Sequence, residues 1–62
     1  MKYTIEYYDR KSQKIIYKEY KSKSAFIKLL KQVSTADTYI ITIDGKEILD
    51  WNSHIIYALE RK

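Results

Sequence analysis

Residues 22–33, SKSAFIKLLKQV, decide how the rest of this chain folds. The apolar side chains of this segment recur at positions i, i+3, i+4 and i+7, and these are Phe26, Leu29, Leu30 and Val33. That spacing places them on one side of an α-helix, so the segment is predicted to be a short amphipathic helix. Ser22, or alternatively Ser24, is the predicted N-cap, because a serine oxygen accepts a hydrogen bond from a free amide at a helix start.

Two tyrosine-rich segments precede the helix, Lys2–Asp9 and Gln13–Lys21. Lys2–Asp9 alternates between apolar and polar residues, and both segments contain β-branched and aromatic side chains, which is typical of strands. A three-residue turn that pairs Asp9 with Gln13 would place Tyr7 opposite Ile15. We prefer this register because it collects the apolar side chains on one face of the hairpin.

A second hairpin is predicted after the helix, with strands at Thr38–Ile43 and Lys46–Trp51. Asp44 and Gly45 between them suit a type I′ turn, in which both central residues have positive φ. This turn places Ile43 opposite Lys46.

The tail, Asn52–Lys62, fits either a helix or a strand. As a helix capped by Asn52 or Ser53, it would present Ile55, Ile56 and Leu59 on one side. As a strand it would present Ile55, Tyr57 and Leu59. The cap residues and the Ala-Leu-Glu-Arg-Lys ending favour the helix.

These elements predict one α+β domain over residues 1–62, in the order ββαββ followed by the short C-terminal helix or strand. The central helix should cross one face of a four-stranded, mainly antiparallel sheet. This order resembles that of β-grasp domains. The resemblance implies that the first strand pairs in parallel with the last strand of the sheet.

The composition argues against several classes of function. The 62 residues include no cysteine and one histidine, and no apolar run reaches the roughly 20 residues that span a bilayer. We therefore expect a cytoplasmic protein that does not enter a membrane and needs no cofactor or metal. His54 lies near Asp50 and Ser53, which would suit a catalytic triad, and a metal cluster could be drawn from Asp44, Glu47, Asp50 and His54. Neither spacing matches a known catalytic or ligand pattern, so we expect no enzymatic activity.

The predicted sheet carries apolar residues on both faces, and one helix covers only one of them. The face left over would carry Tyr8, Ile16, Tyr20, Ile40, Leu49 and Trp51. This is more apolar surface than a small monomer usually exposes, so the tail, a protein partner or a second copy of the chain should cover it. We therefore predict a non-enzymatic adaptor or inhibitor that makes protein contacts, including a possible homodimer, around Trp51.

The charge distribution supports an alternative function. Eight basic residues and one acid lie in Arg10–Lys31, whereas five acids and one lysine follow up to Glu60. The basic region would bind nucleic acid if its lysines followed a phosphate backbone and Tyr8 and Tyr20 stacked on bases. The candidate lysines are Lys14, Lys18, Lys21, Lys28 and Lys31. These lysines would also suit an edge strand protected against aggregation and a solvated helix surface.

Overall fold

The computed structural model describes residues 1–61. Its elements are β1 (Tyr3–Asp9), β2 (Lys14–Tyr20), α1 (Lys23–Gln32), a 3-10 turn (Thr35–Asp37), β3 (Thr38–Ile43), β4 (Lys46–Glu47) and α2 (Asn52–Glu60). Within residues 1–61, neither α1 nor α2 is long and apolar enough to cross a membrane.

The four strands form one open antiparallel sheet in the order β2-β1-β3-β4, which confirms the α+β class and the four-stranded sheet. The parallel pairing of the first and last strands implied by the β-grasp resemblance is wrong, because β1 pairs antiparallel with β2 and β3 and the last strand, β4, pairs only with β3. Two hydrogen bonds fix this arrangement where β1 begins and β3 ends. The Asp44 amide donates to the Lys2 carbonyl at 2.8 Å, and the Lys2 amide donates to Asp44 Oδ1 at 2.8 Å.

The predicted register of the first hairpin is wrong by one residue. Asp9 pairs with Lys14, so the loop has four residues and Tyr7 lies opposite Ile16. Gln13 adopts a positive φ of 57° and donates its backbone N–H to the Asp9 carbonyl at 2.7 Å. The Asp9 carboxylate also accepts hydrogen bonds from the Ser12 hydroxyl and amide. The added loop residue moves every side chain of β2 to the opposite face from the predicted one.

The predicted central helix is confirmed, and it is α1. Ser22 is the N-cap, and its hydroxyl accepts a hydrogen bond from the Ala25 amide at 3.3 Å. Phe26 and Leu30 are buried, and the Phe26 ring stacks on that of Tyr3 with centroids 5.0 Å apart. Ile27 is buried as well, although the sequence places it at the margin of the apolar side.

The tail is a helix, as the sequence favours, but it does not cover the sheet face that the central helix leaves free. Ile55 and Leu59 belong to the same buried cluster as Phe26 and Ile5, so α1 and α2 share one side of the sheet. This explains the burial of Ile27, since α2 packs beside α1. The predicted caps are also wrong, because Trp51 occupies the N-cap position of α2. Lys62 lies outside the described residues.

The prediction of the second hairpin is confirmed for its first strand and its turn. Asp44 and Gly45 have φ values of 52° and 82°, and Ile43 pairs with Lys46 as predicted. The second strand is much shorter than Lys46–Trp51, because β4 has only two residues. One more backbone bond joins the Ile48 amide to the Ile41 carbonyl at 2.8 Å, and the chain then leaves the sheet for α2.

Candidate functional site

Both helices lie on one side of the sheet, so the other side, called here the open face, has no element of the described chain over it. The residues of the open face follow from strand alternation and from the observed register. They are Thr4, Glu6 and Tyr8 of β1, Ile15, Tyr17 and Glu19 of β2, Ile40 and Thr42 of β3, and Glu47 of β4.

Large apolar side chains lie on three strands of the open face, around Glu6 of β1. Ile15, Tyr17 and Ile40 are 60%, 58% and 43% exposed. Glu6 of β1 pairs with Tyr17 on one side and with Ile40 on the other. Tyr8 is half-buried and pairs with Ile15. Large apolar side chains in neighbouring positions on a sheet form a surface that a partner can desolvate.

One end of the open face carries a small polar network. The Tyr17 hydroxyl donates to Glu19 Oε2 at 3.0 Å, and Lys2 Nζ lies 3.3 Å from the same oxygen. The hydrogen bond from Tyr17 and then that from Lys2 lower the pKa of Glu19. The bond to Glu19 raises the pKa of Tyr17. The negative charge of Glu19 is thus balanced by the ammonium group of Lys2.

Beside this network lies a shallow concavity of about 330 Å³ between Tyr17 and Ile40. Thr4 and Thr42 lie within it and share a hydrogen bond between their hydroxyls. Glu6 also lines it, and Glu47 pairs with Thr42. Within residues 1–61, Glu6 and Glu47 form no ion pair. The open face therefore combines apolar side chains with two carboxylates that lack a cation.

The six residues predicted for protein contact do not share one face. Tyr8 and Ile40 are on the open face, as expected. Ile16 and Tyr20 are partly buried against the core under the helices, because of the register of β2. Leu49 and Trp51 lie between β4 and α2, where they are 85% and 63% exposed. Ile15 and Tyr17 were not predicted to be on the open face. Strand alternation places them there once the loop between β1 and β2 has four residues.

The structure brings together some of the predicted basic residues and separates others. Lys18 and Lys28 line one groove between β2 and α1, and Lys14 lies on the same face of β2 as Lys18. Lys31 instead forms an ion pair with Glu60 of α2 at 3.2 Å. Lys21 follows the end of β2.

The two tyrosines predicted to stack on bases are on opposite faces of the sheet. Tyr8 is on the open face, whereas Tyr20 lines the groove between β2 and α1. A single strand of nucleic acid following this groove therefore meets only one of them.

His54 has a structural environment. Its Nδ1 lies 3.0 Å from Asp50 Oδ1, and the same oxygen accepts the Trp51 amide at 2.8 Å. These bonds connect Asp50 to the start of α2. The bond from the Trp51 amide and then that with His54 lower the pKa of Asp50. Among residues 1–61, no three histidine, cysteine or carboxylate side chains are grouped closely enough to hold a metal ion.

No protein-family model matches this sequence. The searches of curated proteins and of solved structures also gave no significant match.

Proposed function

We propose that this chain is a non-enzymatic binding protein, an adaptor or inhibitor, which contacts a protein partner through the open face. The observation that supports the proposal is the exposure of Ile15, Tyr17 and Ile40. These residues lie on a three-stranded surface that neither helix covers. The centre of the contact is Tyr17 and Ile40 rather than Trp51, since Trp51 lies in the loop before α2.

The side chains of the open face suit an interface. Tyrosine contributes a large ring with few rotatable bonds and a hydroxyl that stays hydrogen-bonded, and it is enriched where binding energy concentrates. The Tyr17 hydroxyl already donates to Glu19, so its ring is ordered before a partner arrives. Ordering in advance lowers the entropic cost of binding.

The charges of the open face indicate what the partner carries. Glu6 lies among the apolar side chains of the open face and Glu47 at their margin, and neither forms an ion pair within residues 1–61. A partner with lysine or arginine beside apolar side chains would neutralise both. A second copy of the chain fits less well, because a two-fold axis at the centre of the apolar side chains would place Glu6 against its own counterpart. The proposed partner is therefore a different protein with a basic and apolar surface.

Selection from a displayed random peptide library, with the full chain as target, tests this proposal. We expect the recovered peptides to combine lysine or arginine with aliphatic or aromatic residues. Each peptide should lose at least tenfold in affinity for Tyr17→Ala and Ile40→Ala. It should bind Leu49→Ala as tightly as the original chain, since Leu49 is more exposed than either and lies outside the open face.

Two outcomes would overturn the proposal. The first is that peptide-induced NMR shifts concentrate away from the open face. The second is that sedimentation equilibrium shows a dimer that Ile40→Ala dissociates, because the occupant would then be a second copy. Far-UV circular dichroism of each variant checks that the substitutions leave the fold intact.

A further inference from the structure

A groove runs between the edge strand β2 and α1, on the side of the sheet opposite to the open face. It has a volume of about 280 Å³. Its lining consists of Lys18, Tyr20, Ala25, Lys28, Leu29 and Gln32, and we call it the basic groove. The lining contains two ammonium groups and no carboxylate, so its potential is positive.

The described part of the chain does not neutralise the lysines at the basic groove. Elsewhere in the same region Arg10 Nε pairs with Asp37 at 2.8 Å, and Lys31 pairs with Glu60 at 3.2 Å. Within residues 1–61, Lys14, Lys18 and Lys28 form no ion pair. Ammonium groups without a carboxylate partner attract an anion to the groove.

Lys14 lies outside the basic groove and extends its positive charge along β2, which favours an extended anion over a small one. Lys14 and Lys18 are on the same face of β2, four residues apart, which corresponds to about 13 Å along the strand. Ammonium groups rooted so far apart do not converge on a single phosphate. They suit a chain of charges that runs along the strand.

The concave surface continues beyond the basic groove. Leu29 and Gln32 also line an adjoining concavity of about 570 Å³, which reaches Lys11 and Asp9 at the hairpin loop. The Asp9 carboxylate accepts a hydrogen bond from the Ser12 hydroxyl at 2.8 Å and keeps its negative charge, with Lys11 lining the same concavity. An extended ligand therefore has a path along the length of α1.

We propose that the basic groove binds the phosphate backbone of single-stranded nucleic acid, without reading its sequence. Proteins of this kind combine a positive groove along the backbone with aromatic rings on which bases stack. Tyr20 and Gln32 line the groove together with the two lysines and offer a ring and an amide to the bases. The Tyr20 ring is tilted against Phe26 at 6.4 Å, so stacking on it is limited and phosphate contacts dominate.

The salt dependence of binding gives a quantitative expectation. Neutralisation of three phosphates on a single strand predicts a slope of log K against log salt of about −2. Affinity should therefore fall about a hundredfold for a tenfold increase in salt. Loss of two of the three lysines should reduce the slope to about −0.7.

Fluorescence anisotropy of the full chain with a labelled oligothymidylate tests the proposal. The Lys18→Gln/Lys28→Gln double variant should lose most of the affinity at low salt and the steep slope. The matched control is Lys31→Gln/Lys46→Gln, which removes the same charge from positions outside the groove, and it should bind nearly as the original chain does. Lys18→Arg/Lys28→Arg should keep binding, which separates loss of charge from loss of fold.

Three results would overturn the proposal. One is no anisotropy change at low salt, and another is equal loss in the groove variant and its matched control, because binding would then follow net charge alone. The third is displacement of the oligonucleotide by polyglutamate at equal charge concentration, which would indicate an acidic protein as the ligand. Tyr17→Ala, on the open face, should leave oligonucleotide binding unchanged, so this site is tested independently of the proposed protein contact.

Discussion

Asn52 Nδ2 donates a hydrogen bond to the Val33 carbonyl at 2.9 Å, which joins the first residue of α2 to the end of α1. The same nitrogen lies 3.0 Å from Thr38 Oγ1, and the Asn52 amide donates to Thr35 Oγ1 at 3.0 Å. Asn52 is buried, while its Oδ1 has no hydrogen-bond partner within the described chain. Its role is therefore that of a donor that connects three segments, not that of a helix cap.

Asn52→Ala should lower the free energy of unfolding by about 1–3 kcal/mol, because the partly buried Val33 carbonyl loses its donor. Asn52→Asp should cost more near neutral pH, since a carboxylate would face the Val33 carbonyl oxygen. Urea unfolding followed by circular dichroism measures both losses. Ser53→Ala is the matched control, because Ser53 is the exposed neighbour. Equal stability of Asn52→Ala and Ser53→Ala would contradict the role assigned to Asn52.

Ile55→Val should lower the free energy of unfolding by about 0.5–1.5 kcal/mol, because Ile55 is buried in the core shared by both helices. Ile15→Val removes the same methylene from a position that is 60% exposed, so it should change stability far less. Urea unfolding of the two variants compares the two environments directly. If they lose the same stability, α2 is not part of the cooperative core.

The sequence predicts the elements whose signals are local. Ser22 and the apolar side of α1 lie within one segment, and Asp44-Gly45 fixes both the turn and the register of its hairpin. The two-residue β4 was not predictable in this way, because Leu49 and Trp51 look like strand residues. They leave the sheet because Asn52 holds the start of α2 beside Val33.

The candidate surfaces depend on a feature that the sequence does not show. Gln13 adopts a positive φ, which usually favours glycine or asparagine, so nothing predicts the four-residue loop. Because of that loop, the side chains of β2 lie on the opposite faces from those predicted. Ile15 and Tyr17, and not Ile16 and Tyr20, are therefore on the open face. Tyr8 and Ile40 were placed correctly, since their strands do not depend on this loop. The lysines were identified by composition, but only the tertiary structure separates Lys31 from the basic groove.

Gln13→Gly should raise the free energy of unfolding by about 0.5–1 kcal/mol, because glycine adopts a φ of 57° without the steric cost that a β-carbon imposes. Thermal unfolding detects this as an increase in Tm. Lys11→Gly is the control in the same loop. Lys11 does not have a positive φ, so glycine there should only increase the entropy of the unfolded chain and lower Tm. A decrease for both variants would show that Gln13 is not strained.

Asp50 should contribute to stability in a pH-dependent way. Its carboxylate accepts the Trp51 amide and lies 3.0 Å from His54 Nδ1, and these two bonds lower its pKa below the ordinary value of 3.8. A lowered pKa in the folded state means that the unfolded state takes up the proton more readily. The contribution is therefore present above pH 3.8 and is lost as the pH falls through the lowered pKa.

Asp50→Asn should therefore lower Tm near neutral pH, and the difference from the original chain should shrink in acid as Asp50 itself becomes protonated. Thermal unfolding across this pH range measures the difference. Glu47→Gln provides the control, because Glu47 forms no ion pair within residues 1–61 and its substitution should change Tm little at any pH. A Tm difference for Asp50→Asn that stays constant down to the most acidic condition would mean that the Asp50 charge does not stabilise the start of α2.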